Sequence, residues 1–180
     1  MTEILIVAAT ERELCGYPGL VCGVGPVEAA VATASALATS RPRAVLQIGI
    51  AGAHRASGLL PPQLVLGSVA IYEDVRLTTG LAPREATPDD GLLRATREAL
   101  PGAVLLPIGT TGRVGGGSEC PVEAMEGFAV LRAAELVGVP AIELRAISNL
   151  VEDARADWRI DDALAALAGA IPRLIAALSL

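Results

Sequence analysis

Three polar side chains stand where segments of this sequence begin or end. Glu13 follows the apolar run 3–9, Glu126 opens an apolar segment, and Asn149 comes just after the segment 142–147. Two carboxylates and an amide that meet at one place are compatible with recognition of a sugar and a base. Each residue also has a simpler interpretation, as a solvated carboxylate, a helix N-terminal acid or an Asx turn. Spacing alone leaves both interpretations open.

A glycine turn is a further candidate site. Gly23 and Gly25 precede a predicted helix that begins with Pro26, and their backbone amides could face a phosphate. The sixth position of the dinucleotide-binding fingerprint is Glu28, however, where close helix packing requires a small residue. The pattern therefore favours a tight structural turn over a nucleotide-binding loop.

The elements that would position these residues follow from apolar runs and helical spacing. Predicted strands are 3–9, 20–24, 44–48, 64–75, 103–108 and 140–147; predicted helices are 26–39, 88–100, 122–137 and 160–178, with a glycine-rich loop at 109–118. This alternation predicts an α/β fold: a three-layer α/β/α sandwich with a central, mostly parallel mixed sheet in a single domain, 1–180. Ligands in such folds lie beyond the carboxyl ends of the strands, where Glu13 and Asn149 are expected.

Composition argues against several functions. A net charge of −6 without a basic segment argues against binding to nucleic acid. No apolar run reaches the roughly 20 residues of a membrane span, and no cationic region precedes the first apolar run, so we expect a soluble, cytoplasmic protein with no membrane partner. Three cysteines with a single histidine predict neither a zinc site nor a disulfide framework.

Five short motifs, taken in order, resemble the nucleoside phosphorylase and nucleosidase family over most of the chain. They are AATERE (8–13), GVGPVEAA (23–30), GIAG (49–52), MEG (125–127) and RAISN (145–149). The resemblance implies a small-molecule nucleoside as substrate and no metal or other cofactor. It also implies a homo-oligomer, a dimer or higher, whose partner chains often complete the pocket.

The same resemblance implies roles for individual residues. Glu13 stands where hydrolytic members of the family have a carboxylate, so it would be the general base that activates water. Met125 and Glu126 would bind the ribose and stabilise the positive charge that develops on it. Ala51 and Gly52 would belong to the substrate-binding site.

Asn149 sets the chain apart from methylthioadenosine and adenosylhomocysteine nucleosidases, which have Asp there to protonate adenine. An amide can instead accept from N7–H and donate to a 6-oxo group, which suits a hypoxanthine leaving group. The segment 147–151, with Arg155 and Trp158 downstream, resembles the futalosine-hydrolysing branch of the family, which acts in an alternative route to menaquinone. Ile50, where methylthioadenosine nucleosidases usually have Ser, indicates the same branch. The alternatives are a methylthioadenosine or adenosylhomocysteine nucleosidase, a phosphorylase and a non-catalytic purine-binding protein.

Aromatic stacking on the base is not assigned to any residue. The segment 107–120, where the resemblance implies such a contact, is short and contains no aromatic side chain. Tyr72, Phe128 and Trp158 are predicted to be packing residues, and His54 is predicted to be structural.

Overall fold

The computed structural model describes residues 4–75 and 80–179. The strands are β1 (Ile4–Ala8), β2 (Leu20–Val21), β3 (Ala44–Ala53), β4 (Leu64–Tyr72), β5 (Glu85–Ala86), β6 (Val104–Thr110), β7 (Val122–Ala124) and β8 (Ala141–Leu150). The helices are α1 (Pro26–Thr39), α2 (Asp90–Ala99), α3 (Gly127–Leu136) and α4 (Ile160–Leu178). Short 3₁₀ turns cover Arg55–Ser57 and Arg155–Asp157. The first residue of the predicted strand 3–9 lies outside the described residues.

The strands form one mixed sheet, and the pairings among five of them close into a ring. β3 pairs in parallel with β1 and β8, and β8 pairs antiparallel with β4. β4 runs parallel to β6, β6 runs parallel to β7, and β7 returns antiparallel to the end of β3. The pairings β3–β8–β4–β6–β7 therefore form a ring. The predicted α/β class with a mixed sheet is confirmed.

Helices cover both faces of the sheet because neighbouring residues of a strand point to opposite sides. Ile6 and Leu46 pack in a cluster with α4, while Val7 and Val45 pack in another with α1 and α3. A third cluster, which includes Val65, joins residues of β3, β4, β6, β7 and β8. The edge where β1, β3 and β8 end is thus supported from both sides by packed helices.

Local signals set the bounds of two helices. The predicted helices 26–39 and 160–178 coincide with α1 and α4. Gly25 has φ of 95° and Pro26 occupies the first helical turn, so the glycine turn is a structural start to α1. Gly138 has φ of 70° just beyond α3, as predicted for a left-handed C-terminal cap.

Long-range pairing changed three predicted elements. Residues 122–124 belong to strand β7, and the predicted helix 122–137 begins only at Gly127, because β3 and β6 both pair with β7. The predicted strand 44–48 continues to Ala53 as β3, because β7 and β8 pair with the second half of β3. β8 extends to Leu150, which places Asn149 inside a strand. Along residues 4–75 and 80–179, no helix is both long and apolar enough to cross a membrane.

Candidate active site

A cavity of about 340 Å³ lies at the edge where β1, β3 and β8 end. Its volume is in the range of small-molecule sites. The six residues to which the family resemblance gives a role in the site all line it: Glu13, Ala51, Gly52, Met125, Glu126 and Asn149. Segments far apart in the sequence therefore contribute to one pocket, although the roles of these residues remain predictions.

Glu13 is buried and held at both carboxylate oxygens. The turn after β1 bends the chain back, and the Glu13 side chain is 6% exposed. Its Oε1 accepts from the Ile50 backbone N–H at 3.0 Å, and its Oε2 accepts from the Thr10 hydroxyl at 2.8 Å. Each oxygen retains a second lone pair, so an oriented Glu13 carboxylate can still accept a proton from water. The interpretation of Glu13 as a solvated carboxylate is therefore wrong.

Glu126 precedes the first turn of α3 but does not cap it through its side chain. Instead its Oε1 accepts from the Gly25 backbone N–H at 3.1 Å, and its Oε2 accepts from Arg145 Nη1 at 3.2 Å. The Glu126 side chain is 5% exposed. The glycine turn and a buried arginine, rather than the helix N-terminus alone, determine the position of this carboxylate.

Arg145 is completely buried and connects the site to the sheet. Its Nε donates to Glu143 Oε1 at 2.8 Å, in addition to its contact with Glu126. Burial alone would lower the pKa of Arg145, but the carboxylates of Glu143, Glu126 and Glu13 raise it overall, so the guanidinium stays charged. Two carboxylates at the pocket therefore lie in the field of one fixed cation.

Two glycines make room for this network. A Cβ atom at Gly49 would collide with the Arg145 guanidinium and lie 2.9 Å from Glu13 Oε1. A Cβ atom at Gly127 would collide with the Glu143 carboxylate. A side chain at either position would therefore force these buried charged groups to shift.

Asn149 enters the pocket at an irregularity of the β3–β8 ladder. Ala51 pairs with Ile147 and Gly52 pairs with Asn149, so Ser148 is an extra residue on β8. Such a bulge redirects side chains, and Ser148 and Asn149 both line the cavity. The Asn149 Oδ1 accepts from the Ser148 hydroxyl at 2.8 Å, and its Nδ2 donates to the Leu150 carbonyl at 3.0 Å. The Asx-turn interpretation is wrong because Asn149 lies within β8.

The segment between β6 and β7 forms another wall. Arg113, Val114 and Gly115 line the cavity, although sequence reasoning assigned no contacts there. Glu123 on β7 is buried and fixes this segment, since its carboxylate accepts from Gly115 N–H at 2.7 Å. The same carboxylate accepts from Gly117 N–H at 2.7 Å and from Ser118 N–H at 3.1 Å. The glycine-rich loop is thus shaped by a carboxylate that faces three amides.

Trp158 departs from its predicted role, since it lines the cavity rather than only packing against the core. Tyr72 and Phe128 do pack as predicted, with ring centroids 5.2 Å apart in a separate core cluster. His54 Nε2 lies 3.1 Å from the Ser118 carbonyl oxygen, which is a structural contact.

Sequence reasoning missed the roles of Arg145, Glu123 and the wall residues. One signal was available for Arg145: opposite charges at 143 and 145 lie on one face of an apolar strand, a pattern that indicates a buried ion pair. Glu123 carried no such signal, because its partners are backbone amides of a loop.

Comparison with known proteins places this pocket in a family context. The family model of the phosphorylase superfamily matches residues 19–119. A futalosine hydrolase of Streptomyces coelicolor is 34% identical, with 88% of this chain and 78% of that protein covered. A futalosine hydrolase of Thermus thermophilus is also 34% identical, with 89% and 82% covered.

Solved structures share the fold at lower identity. A methylthioadenosine/adenosylhomocysteine nucleosidase of Streptococcus pneumoniae superposes with a TM-score of 0.85 at 22% identity, covering 97% of this chain and 99% of that one. The futalosine hydrolase of Helicobacter pylori also gives 0.85, at 17% identity, covering 96% and 97%. At these identities the structural likeness establishes the fold alone.

Proposed function

Since the chain belongs to the phosphorylase superfamily, with futalosine hydrolases as relatives along most of its length, we propose that it hydrolyses the N-glycosidic bond of futalosine. The products are hypoxanthine and dehypoxanthine futalosine. The observation that carries the proposal is the presence of Glu13, Glu126 and Asn149 in one pocket. It supports a nucleosidase with a general base, a carboxylate that binds the ribose and an amide that hydrogen-bonds to the purine.

Glu13 acts as the general base in this proposal. Its carboxylate is oriented by Ile50 and Thr10, and it takes a proton from the water that attacks the anomeric carbon of the ribose. The C–O bond forms as the bond from carbon to the purine nitrogen breaks, the electron pair of that bond leaves with the purine, and the purine takes its proton from solvent. Burial of Glu13 supports this role because a fixed carboxylate needs little reorganisation during reaction.

Glu126 binds the ribose hydroxyls, with Met125 beside it in the pocket wall. Its carboxylate is fixed by Gly25 and Arg145. A negative charge held near the sugar stabilises the transition state, in which positive charge develops on the ring. Ala51 and Gly52 of β3 complete this side of the site.

Asn149 recognises the leaving base. An amide offers both an acceptor and a donor, which match the N7–H and the 6-oxo group of hypoxanthine. In the structure its oxygen and nitrogen contact Ser148 and the Leu150 carbonyl, so the amide is oriented before substrate binds.

The proposal is tested by incubating purified protein separately with futalosine, inosine and methylthioadenosine, with and without phosphate. Free base is then measured by chromatography. We expect hypoxanthine from futalosine at a rate that does not depend on phosphate. A strict need for phosphate would indicate a phosphorylase, and no release from any nucleoside would indicate a purine-binding protein.

The role of Glu13 is tested by Glu13→Gln. The amide keeps the size of the side chain, and its oxygen can accept from Ile50, so we expect the fold to persist. Loss of a general base should lower kcat by about 10²–10⁴-fold. The matched control is Glu135→Gln, which removes an exposed acid that pairs with Arg132 and should leave kcat unchanged. Full activity of the Glu13 variant would exclude this mechanism.

A second candidate is hydrolysis of methylthioadenosine or adenosylhomocysteine. A solved nucleosidase of this type has the same fold, but Asn149 cannot supply the proton that an adenine leaving group takes from Asp. Adenine release from methylthioadenosine in the same assay would favour this candidate.

Assembly as a homo-oligomer is part of the proposal. Val24, Val27 and Val31 are 57%, 69% and 62% exposed and lie close together in sequence at and after the start of α1, and Val24 also lines the cavity. An exposed apolar stripe of this kind is typical of an interface. Sedimentation of the wild type and of a Val27→Lys/Val31→Lys variant tests this, with a dimer or larger assembly expected only for the wild type.

A further inference from the structure

His54 lies directly after β3, where three segments that supply cavity residues come together. Its backbone N–H donates to the Pro121 carbonyl at 3.0 Å, which joins the end of β3 to the segment between β6 and β7. Its ring lies between that segment and the chain after β8, since Nε2 is 3.1 Å from the Ser118 carbonyl oxygen and Nδ1 is 3.7 Å from Glu152 Oε1. The hydrolysis proposed above makes no use of this ring.

The two ring contacts connect two walls of the cavity. Ser118 lies three residues after the wall 113–115, and Glu152 lies three residues after Asn149. Both the wall 113–115 and Asn149 line the cavity. We name the contacts of the ring with Ser118 and Glu152 the His54 bridge, because they join the chain on the two sides of one pocket.

The geometry of the His54 bridge determines where the ring carries its hydrogens. A backbone carbonyl oxygen only accepts, so Nε2 carries the hydrogen that it donates to Ser118. A neutral imidazole has one N–H, so in that form Nδ1 turns an unshared electron pair towards the Glu152 carboxylate. In the protonated ring Nδ1 also carries a hydrogen, and this unfavourable approach becomes an ion pair. The bridge is therefore stronger when the ring is charged.

Charged groups around the ring come from three segments. They are Glu152 and Asp153 after β8, Arg55 on the 3₁₀ turn after His54, and Glu73, Arg84 and Glu119 on the side of Ser118. Arg55 pairs with Asp153 at 2.9 Å, so its charge is balanced locally. Hydrogen bonds from the backbone N–H groups of Glu152 and Arg55, together with the charges of His54 and Arg55, lower the pKa of the Glu152 carboxyl. Glu152 therefore stays ionised near neutral pH and presents a negative charge to the ring.

We propose that His54 is a positioning residue for the purine, and that the charged ring holds the two cavity walls together more firmly than the neutral ring. The inference rests on the proposed function, which places the purine at Asn149, in the same cavity as the wall 113–115. Joining the chain on both sides of this site reduces the ordering that binding requires. Purine affinity should therefore increase as the pH falls through the range in which imidazole takes up a proton.

The test measures hypoxanthine binding by calorimetry at about pH 7.5 and about pH 5.5, on either side of the range in which imidazole changes charge. The His54 and Glu152 side chains are 26% and 45% exposed, so the gain in wild-type affinity at the lower pH should be about two- to fivefold, as for a partly exposed ion pair. His54→Gln keeps a donor for the Ser118 carbonyl but takes up no proton. It should bind as the wild type does at the higher pH and lack the gain at the lower pH.

Two further variants separate the charge of the bridge from its packing. Glu152→Gln keeps the ring and its contact with Ser118 but removes the carboxylate, so most of the gain should be lost. The matched control is Glu98→Gln, which changes an exposed acid of α2 and should keep the gain in full. A gain of wild-type size in His54→Gln or in Glu152→Gln would overturn the inference.

A spectroscopic test is available because His54 is the only histidine in the chain. In protein without a histidine tag, its ring C2 proton gives a single NMR resonance whose chemical shift reports the charge of the ring. If charge on the ring favours purine binding, purine binding must favour the charge to the same extent, since linkage is reciprocal. Hypoxanthine added at the midpoint of the titration should therefore move the resonance towards its low-pH position. The absence of such a shift would refute the positioning role.

These measurements separate the inference from the proposed hydrolysis, because no bond is cleaved in either of them. A gain in affinity that depends on His54, combined with no release of base from futalosine, would refute hydrolysis and still support a purine site positioned by His54. Hydrolysis without any gain that depends on His54 would refute the inference and leave the proposed function standing.

Discussion

Arg145 Nη1 donates to the Glu126 carboxylate at 3.2 Å in a fully buried contact. The carboxylate proposed to hold the ribose is therefore itself held by a cation that water does not reach. Because Arg145 also pairs with Glu143 on the same strand, the geometry of the pocket is coupled directly to the interior of the sheet.

Arg145→Met is expected to destabilise the protein and to impair nucleoside binding. Removal of one partner leaves the Glu143 carboxylate buried without its cation, which costs about 3–5 kcal/mol. Urea denaturation measures this loss. The double variant Glu143→Leu/Arg145→Met should recover much of the stability but not the KM, because Glu126 still lacks its cation. If the double variant regains a normal KM, Arg145 does not position Glu126.

Asn149→Asp is expected to shift specificity from hypoxanthine to adenine nucleosides. The present Nδ2 donates to the Leu150 carbonyl, so a carboxyl group there would favour the protonated form that can keep this hydrogen bond. A protonated acid can donate to the leaving adenine. Release of adenine from methylthioadenosine should rise at least about tenfold relative to the wild type while hypoxanthine release falls. An unchanged ratio of adenine release to hypoxanthine release would show that Asn149 does not determine which purine base is recognised.

Glu123→Gln is expected to disturb the wall formed by residues 113–115. One amide oxygen must replace two carboxylate oxygens that serve Gly115, Gly117 and Ser118, and the amide nitrogen would then face a donor. Leaving one buried N–H without an acceptor costs about 1–3 kcal/mol. We expect KM to rise more than kcat falls, since Glu123 acts through the loop.

The matched control for this variant is Glu98→Gln, on the exposed surface of α2. Steady-state kinetics and thermal unfolding of both variants provide the comparison. Equal changes in KM for the two variants, or a loss of stability without any rise in KM, would argue against a positioning role for Glu123.

The buried cysteines are expected to resist alkylation. Burial, reinforced by the Glu126 carboxylate, raises the pKa of Cys22 to about 12, and burial raises the pKa of Cys120 to about 11. Because the thiolate is the reactive form, a raised pKa leaves very little of it at pH 8, and reactivity should increase as the pH rises. The half-buried Cys15 should react first with iodoacetamide, as followed by mass spectrometry. In guanidinium chloride all three should react at similar rates; fast labelling of native Cys22 would contradict the packing around the pocket.

Local sequence signals were sufficient where an element depends mainly on its own residues. The bounds of α1 and α4 were predicted correctly because a positive-φ glycine, Pro26 and helical spacing of apolar residues act within a few turns. Glu13, Glu126 and Asn149 were also found from sequence. Their motifs kept the same order along the chain as in a known family, and the pocket brings them together.

What the sequence alone determined, then, was the fold class, the family and the identity of the residues proposed for chemistry. The tertiary structure decided that 122–124 form a strand, that Asn149 projects from a bulge, that Trp158 and Arg155 line the pocket, and that Glu123 shapes a wall. Each of these features depends on hydrogen bonds or contacts with residues distant in the chain. Local propensity carries no information about such partners, so only the folded sheet and the segments packed around it establish them.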